Sequence, residues 1–449
     1  MKFNICPILY AASALLFVAC KPSLEAPQPQ KGNADFSNYV AIGSAQTAGY
    51  ADGALYHEAQ QNSYANLLAG QFEAVGGIDF KIPYVSSTIN GVSVITGNTI
   101  TINAMSQLAM KTDCKGVTAL GPLKLTPNVD YSYFSENIYS ASSPFNNMAV
   151  PYTKAIHLLA KGYGNSANNY FNPYYKRMAS NINASSIIND AINQNPTFFS
   201  LMIGGDDVMA YALAGGFSDT ITTTARFSTH IDSVIYYLTK NGAKGVIANI
   251  PSLNSIPYFT TIAYNALTLD SAKAASLNQF YFSLDPNIHF NVGANAFIVE
   301  DASTFIGLRQ AVAGEYILLN VPLDDVKCNS LGSLIPINNK YVLSLTEVNA
   351  VESAIFSFNT ILKTKAQNNG LAFIDVNAFY QKNKENFIYN NITFNYNFVK
   401  GGLFSLDGLN FTPRGHALLA NEFVRSINET YQSTIRQVDV VKYRGIVFP

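Results

Sequence analysis

Two patterns of apolar and polar residues recur along the chain. Short, nearly continuous apolar runs occur at Tyr39–Ser44, Thr197–Gly204, Ala243–Pro251 and Ala372–Asn377. Runs of that length, rich in β-prone residues and closed by turn formers, predict buried parallel strands. Stretches with helical spacing lie between them: Ser63–Phe72, then Asp219–Asn241 before the third strand, then Thr346–Asn369 before the fourth. A last helix is predicted from Thr412, a good N-cap residue, with Pro413 at the first helical position. Leu419, Phe423 and Ile427 give it an i, i+4, i+8 apolar stripe. Strands alternating with helices predict a doubly wound α/β fold whose parallel sheet carries a site at the carboxyl ends of its strands.

Two long segments interrupt the alternation, at about 76–136 and 252–342. The first is turn-rich, and Ile89-Asn-Gly-Val with Ile95-Thr-Gly-Asn-Thr-Ile-Thr-Ile-Asn103 has the form of a hairpin. Both segments follow sheet elements, so both are expected to wall the cleft.

The N-terminus has the pattern of an export signal over residues 1–19. Lys2 supplies a positive start, and Ile5–Ala19 is an apolar stretch short of a membrane span. It ends Leu-Phe-Val-Ala-Cys20, which resembles a bacterial lipobox, with Phe17 where the pattern prefers Leu. Cys20 is therefore expected to carry lipid and to hold the protein to a bilayer, in the bacterial envelope as an outer-membrane lipoprotein. The Pro-rich polar stretch that follows Cys20, to residue 36, is expected to be a tether, with the folded domain spanning 37–449.

Composition narrows the partners. The 449 residues carry a net charge of −1, and 13% are charged, with no basic stripe; nucleic acid is excluded as a partner. The chain has 27 Tyr, 29 Phe and no Trp, a mix compatible with glycan or lipid ligands. Of the four cysteines, Cys6 leaves with the signal and Cys20 takes the lipid. Cys114 and Cys328 remain, either joined in an oxidising compartment or present as two buried thiols.

Five stretches, in order, carry a family resemblance. They are Tyr39-Val-Ala-Ile-Gly-Ser-Ala-Gln-Thr-Ala-Gly-Tyr50 through Ala51-Asp-Gly-Ala-Leu-Tyr56, then Val150-Pro-Tyr-Thr-Lys-Ala-Ile-His, Ile203-Gly-Gly-Asp-Asp-Val, Phe404-Ser-Leu-Asp-Gly-Leu-Asn-Phe-Thr-Pro-Arg-Gly, and Tyr443-Arg-Gly-Ile-Val-Phe-Pro449. Together they resemble the SGNH (GDSL-type) hydrolases, and most nearly the GDSL-like lipoproteins of Bacteroidetes-type bacteria. The resemblance implies a three-layer α/β/α flavodoxin-like fold and hydrolysis of ester bonds without a cofactor.

It also implies four functional positions, and all four are substituted. Ala45 stands where the family has its nucleophilic serine, and a methyl group cannot attack a carbonyl. Tyr152 stands where a glycine N–H helps bind the oxyanion. Asp206 stands where an asparagine amide donates to that oxyanion; an ionised carboxylate there repels it by about 4 kcal/mol at ~4 Å. Asn410 stands where the histidine of a final Asp-x-x-His takes the serine proton, and an amide has no useful basicity. Asp407 is retained.

The expectation is a degenerate relative that keeps a cleft for an acylated glycan or lipid. Two alternatives stay open. One is an active lipase or esterase using Ser44 as a displaced nucleophile, with His416 as base; His57, His157, His230 and His289 have no motif support. The other is an accessory subunit of an outer-membrane complex. Asp206, Asp207 and Asp407 with Ser44 form a conceivable Ca²⁺ site, although Asp207 and Asp407 are better explained as loop supports and Arg414 as a partner for one of the acids. No metal or cofactor is expected otherwise.

Overall fold

The computed structural model describes residues 27–95 and 101–449. The export signal and Cys20 lie outside the described residues, as do 96–100 within the expected hairpin.

Four strands form one parallel sheet in the order β1 (Tyr39–Gly43), β2 (Phe198–Met202), β3 (Lys244–Ala248) and β4 (Ala372–Ile374). Tyr39 pairs with Phe198 and Gly43 with Met202; Phe198 pairs with Lys244, and Ala372 with Val246. Apart from Lys244 at the start of β3, Met202 at the end of β2 and Phe373 in β4, these strand residues are buried, as expected when helices cover both faces.

A fifth, irregular segment completes the layer. The carbonyls of Asn146 and Ala41 and the N–H groups of Ala41, Met148 and Val150 tie residues 146–150 to the free edge of β1, in parallel. The chain thus leaves β1 for this outer edge and then crosses back to β2. The strand order reverses at β1, which makes its carboxyl end the topological switch point.

Helices fill the two outer layers. On one face lie α1 (Tyr64–Glu73) and α6 (Pro413–Tyr431). There Phe198 meets Phe72 of α1 and Tyr431 of α6, with ring centroids 5.6 and 5.8 Å apart. On the other face α3 (Thr224–Thr239) packs against α4 (Leu345–Asn368), and Phe227 stacks on Phe358 at 3.9 Å. Between these in sequence are α2 (Asp206–Leu213), which opens at the end of β2, and α5 (Val376–Lys382), which opens at the end of β4. The chain therefore has the expected α/β fold, a parallel sheet between helical layers.

Several boundaries shift for local reasons. The fourth strand stops at Ile374 because Asp375 caps α5, accepting from the Ala378 N–H at 2.8 Å. The helix expected from Asp219 starts at Thr224. Packed structure starts before residue 37: Ala34 and Phe36 are buried, and Phe36 stacks on Phe72 at 4.5 Å. An aromatic ring at the end of a polar tract has more to gain from the core than from water.

The first insertion holds a short hairpin pairing Ser93–Ile95 with Thr101–Asn103 and a longer, largely exposed one pairing Ser106–Thr112 with Thr118–Lys124. The second insertion has two small apolar cores of its own, around Tyr281 and around Ile317. Cys114, in the turn of the longer hairpin, is bonded to Cys328 in the second insertion, with Cα atoms 6.4 Å apart. Two ion pairs flank the bridge, Lys111–Asp324 and Lys327–Asp113, each at 3.1 Å. Among the described residues no helix is long and apolar enough to cross a membrane.

Candidate functional site

The switch point gathers the ends of three chain segments: Ser44-Ala45 after β1, Pro151–Thr153 after the outer segment, and Gly204–Asp207 after β2. The loop 405–410, just before α6, closes a fourth side. Ser44, Ala45, Tyr152, Asp206, Asp207, Asp407 and Asn410 fall in these four segments.

Ser44 is the residue before a single helical turn, Ala45–Ala48. Its Oγ accepts from the Thr153 N–H at 3.2 Å and stands beside the Asp206 carboxyl. Burial pushes Asp206 up to about 6; the Ser44 hydroxyl opposes this by stabilising the charged form, and the neighbouring Asp207 adds to it. Among the described residues no imidazole hydrogen-bonds to Ser44.

His416 lies elsewhere. It is 1% exposed, accepts the Tyr64 N–H on Nδ1 at 3.2 Å, and has no partner on Nε2. Burial lowers its pKa to about 3, so it is a neutral core ring. The Ser44–His416 pair of the displaced-nucleophile alternative is not formed, because the Thr412 cap starts α6 with His416 turned toward α1. His157 bonds the Lys154 N–H, and burial lowers it to about 4. His57 bonds the Val85 carbonyl.

Tyr152 has φ +64°. That left-handed backbone is the conformation glycine adopts freely and a tyrosine adopts only under constraint. The constraint is visible: its ring packs on Tyr50 and Tyr174 at centroid distances of 5.8 and 6.3 Å, and its hydroxyl meets that of Tyr50 at 2.8 Å. Burial raises the Tyr152 hydroxyl, and Asp206 and Asp407 are near enough to raise it further. The tyrosine therefore brings a ring and a hydroxyl into the space that glycine would leave open.

Asp407 is fully engaged. One oxygen accepts from the N–H groups of Leu409 and Asn410, both at 2.8 Å; the other accepts from the Gly53 N–H at 3.2 Å and the Asn410 Nδ2 at 3.0 Å. Asn410 thus donates to Asp407 from its side chain, but it presents no second nitrogen that could take a proton.

Asp207 is 0% exposed. One of its oxygens accepts from the Ala155 N–H at 2.8 Å, and the other has no partner. Burial raises it to about 6, and the Ala155 N–H works against that. Asp207 serves the loop at residue 155 and Asp407 serves its own turn, so the three acids do not converge as a cation site. Among the described residues no group of three or more such ligands is placed to hold a metal. Arg414 pairs with neither acid; it bonds the Tyr443 carbonyl at 2.7 Å and holds the C-terminal segment.

The sequence reading missed Asp52, which has φ +55°. Its carboxylate accepts from the Leu406 N–H and the Tyr56 hydroxyl, and its own N–H donates to Ser405 Oγ. This turn clasps the 405–407 loop and so sets Asp407 and Asn410. The Asp-Gly dipeptide at 52–53 was the available signal.

No protein-family model matches the chain, and no curated protein matches it. Among solved structures, it is similar to an α/β hydrolase enzyme from the metagenome of Lake Arreo, Spain, with 10% identity and a TM-score of 0.36 over 88% of this chain and 96% of that one. It is similar to a variant of an acetyl-xylooligosaccharide esterase of Geobacillus, with 11% identity and a TM-score of 0.36 over 88% and 96%. An acetyl xylan esterase from Geobacillus stearothermophilus matches with 10% identity and a TM-score of 0.35 over 88% and 95%. At these TM-scores the fold and the chemistry rest on this chain's own sheet and site.

Proposed function

We propose that this protein is a catalytically silent relative of the SGNH hydrolases, held in the bacterial envelope by a lipid on Cys20, with a cleft that binds an acylated glycan or lipid. The observation that carries the proposal is the Asn410–Asp407 pair. An Asp-x-x-His catalytic unit needs a ring that gives one proton to the aspartate and takes another from the nucleophile. Asn410 makes the first contact at 3.0 Å and cannot make the second. With Ala45 at the nucleophile position, neither covalent attack nor proton removal has a residue to perform it. Tyr152 and the Asp206–Ser44 pair then stand where an oxyanion site would be.

The test is turnover of short-chain and long-chain aryl esters by the purified protein. No rate above the uncatalysed background is expected. One observation favours a second reading: Ser44 lies beside Asp206, whose carboxyl is raised toward neutrality, so a Ser44–Asp206 hydrolase is the rival. Turnover abolished by Ser44→Ala would establish that rival and end the silent reading. Stable co-purification with an outer-membrane protein, together with no measurable small ligand, would favour an accessory subunit.

A further inference from the structure

A second groove opens on the carboxyl side of the sheet, away from the switch point. It has a volume of about 350 Å³ and is bounded by Asn249 after β3, Asp375 and Asn377 after β4, and the side of α4 from Glu352 to Lys363. From Glu352 to Lys363 the helix rises about 16 Å, so the groove suits an oligomer better than a compact solute. With strands spaced about 4.8 Å apart, the ends of β3 and β4 lie roughly 10–15 Å from the end of β1, where Ser44 stands.

Much of its polar lining is committed to structure: Glu352 takes the Ser252 hydroxyl on both oxygens, at 2.7 and 2.8 Å, and Asn249 and Asn359 use both ends of their amides. What is left over is dispersed and mixed. Asp375 uses one oxygen for Asn249 and for the α5 cap, which leaves the other oxygen as an acceptor. Asn377 uses its carbonyl oxygen for the Ser252 N–H, which leaves its NH₂ as a donor. Gln381 donates to Asn254, which leaves its carbonyl oxygen, and Lys363 adds a charged donor on the opposite wall. Phe356 stands on the rim with 76% of its surface in water, a large apolar ring that no neighbour covers.

Single donors and acceptors facing each other across a groove suit a ligand whose groups both donate and accept. Glu352 and Asp375 set against Lys363 give the groove no cationic surplus, so it does not select for an anion. A bare aromatic face offers stacking to an apolar ring face. Sugar hydroxyls and the C–H face of a pyranose meet all three demands. A phosphate or a fatty chain meets none of them, because the groove has neither a cluster of cations nor a dry apolar floor.

We propose that this groove is a subsite for a neutral oligosaccharide, with Phe356 stacking on a sugar ring and Asp375 and Asn377 bonding its hydroxyls. The link to an acyl group at the switch point rests on the function proposed above; the sugar site itself does not. The test is saturation-transfer NMR on the full chain with xylo-, manno- and N-acetylglucosamine oligosaccharides. At least one series is expected to show transfer to ring protons, with apparent affinity at least tenfold weaker in Phe356→Ala and in Asp375→Asn. Phe356 is exposed, and asparagine keeps an acceptor for the α5 cap, so both variants should unfold at the wild-type midpoint. No transfer from any series, or transfer unchanged in both variants, would overturn the proposal. An ester-hydrolysing protein that also bound sugar through Phe356 would refute the silent reading and leave this one standing.

Discussion

Tyr152 offers a direct check on the geometry of the switch point, through a comparison of Tyr152→Gly with Tyr152→Ala. Both variants lose the ring contacts with Tyr50 and Tyr174 and the 2.8 Å hydroxyl pair, so those losses cancel in the difference. At φ +64° alanine keeps a left-handed strain of about 1–2 kcal/mol that glycine lacks. Against this, glycine gives the unfolded chain an entropy advantage of about 0.4–1 kcal/mol. The remainder favours glycine by roughly 0.5–1 kcal/mol, a factor of about 2–5 in the folding equilibrium. Urea denaturation with a common slope measures it. Position 353, exposed in the middle of α4, is the control: there Ser353→Ala should exceed Ser353→Gly by about 1 kcal/mol. If Tyr152→Ala proves as stable as Tyr152→Gly, residue 152 is not left-handed and its match to a glycine position fails.

Other outcomes follow from the same geometry. Asp207 is raised to about 6 by burial against about 3.9 unfolded, so the native state holds the extra proton between those values and stability falls as pH rises through that window. Asp207→Asn should therefore gain up to about 3 kcal/mol at pH 7.5 and close to nothing at pH 4; equal effects at the two pH values would contradict it. His416, lowered to about 3 by burial, gives the opposite slope: stability present above the unfolded value of about 6.5 is lost on acidification toward 3, and replacing it should flatten that loss in urea titrations. Cys114→Ser with Cys328→Ser should speed hydrogen exchange across 106–124, because the two flanking ion pairs are at the surface, where water and salt screen them; unchanged exchange would show that the bridge does not hold the hairpin.

The sheet was the most legible part of the chain. The apolar runs at β1, β2, β3 and β4 are buried between helices, and such runs announce themselves. The Thr412-Pro413 start of α6 was legible too, since Thr412 accepts the Gly415 N–H at 3.2 Å. The long hairpin at 106–124 was not, because most of its residues are exposed and no burial pattern marks its faces. The outer segment 146–150 was equally silent; it joins the sheet through main-chain bonds and through the buried amides of Asn146 and Asn147, which no apolar pattern marks. At the site, residue types gave the candidate positions but not their surroundings. A tyrosine does not advertise a left-handed backbone, and His416 looked near in sequence to a cleft from which α6 turns it away.

The position of β1 has a consequence for how the chain is made. Its two edges are filled by residues 146–150 and by β2, so both partners are synthesised after it, and the farther one ends at Met202. The first strand to emerge, with five buried-type residues, has no partner for one edge until residues 146–150 follow about 105 residues later, and none for the other until β2 follows about 160 residues later. Until then it is an apolar strand with at least one free edge, a state prone to mispairing. A nascent chain of this protein therefore has reason to be held by a chaperone until β2 arrives, and the switch point cannot form before then.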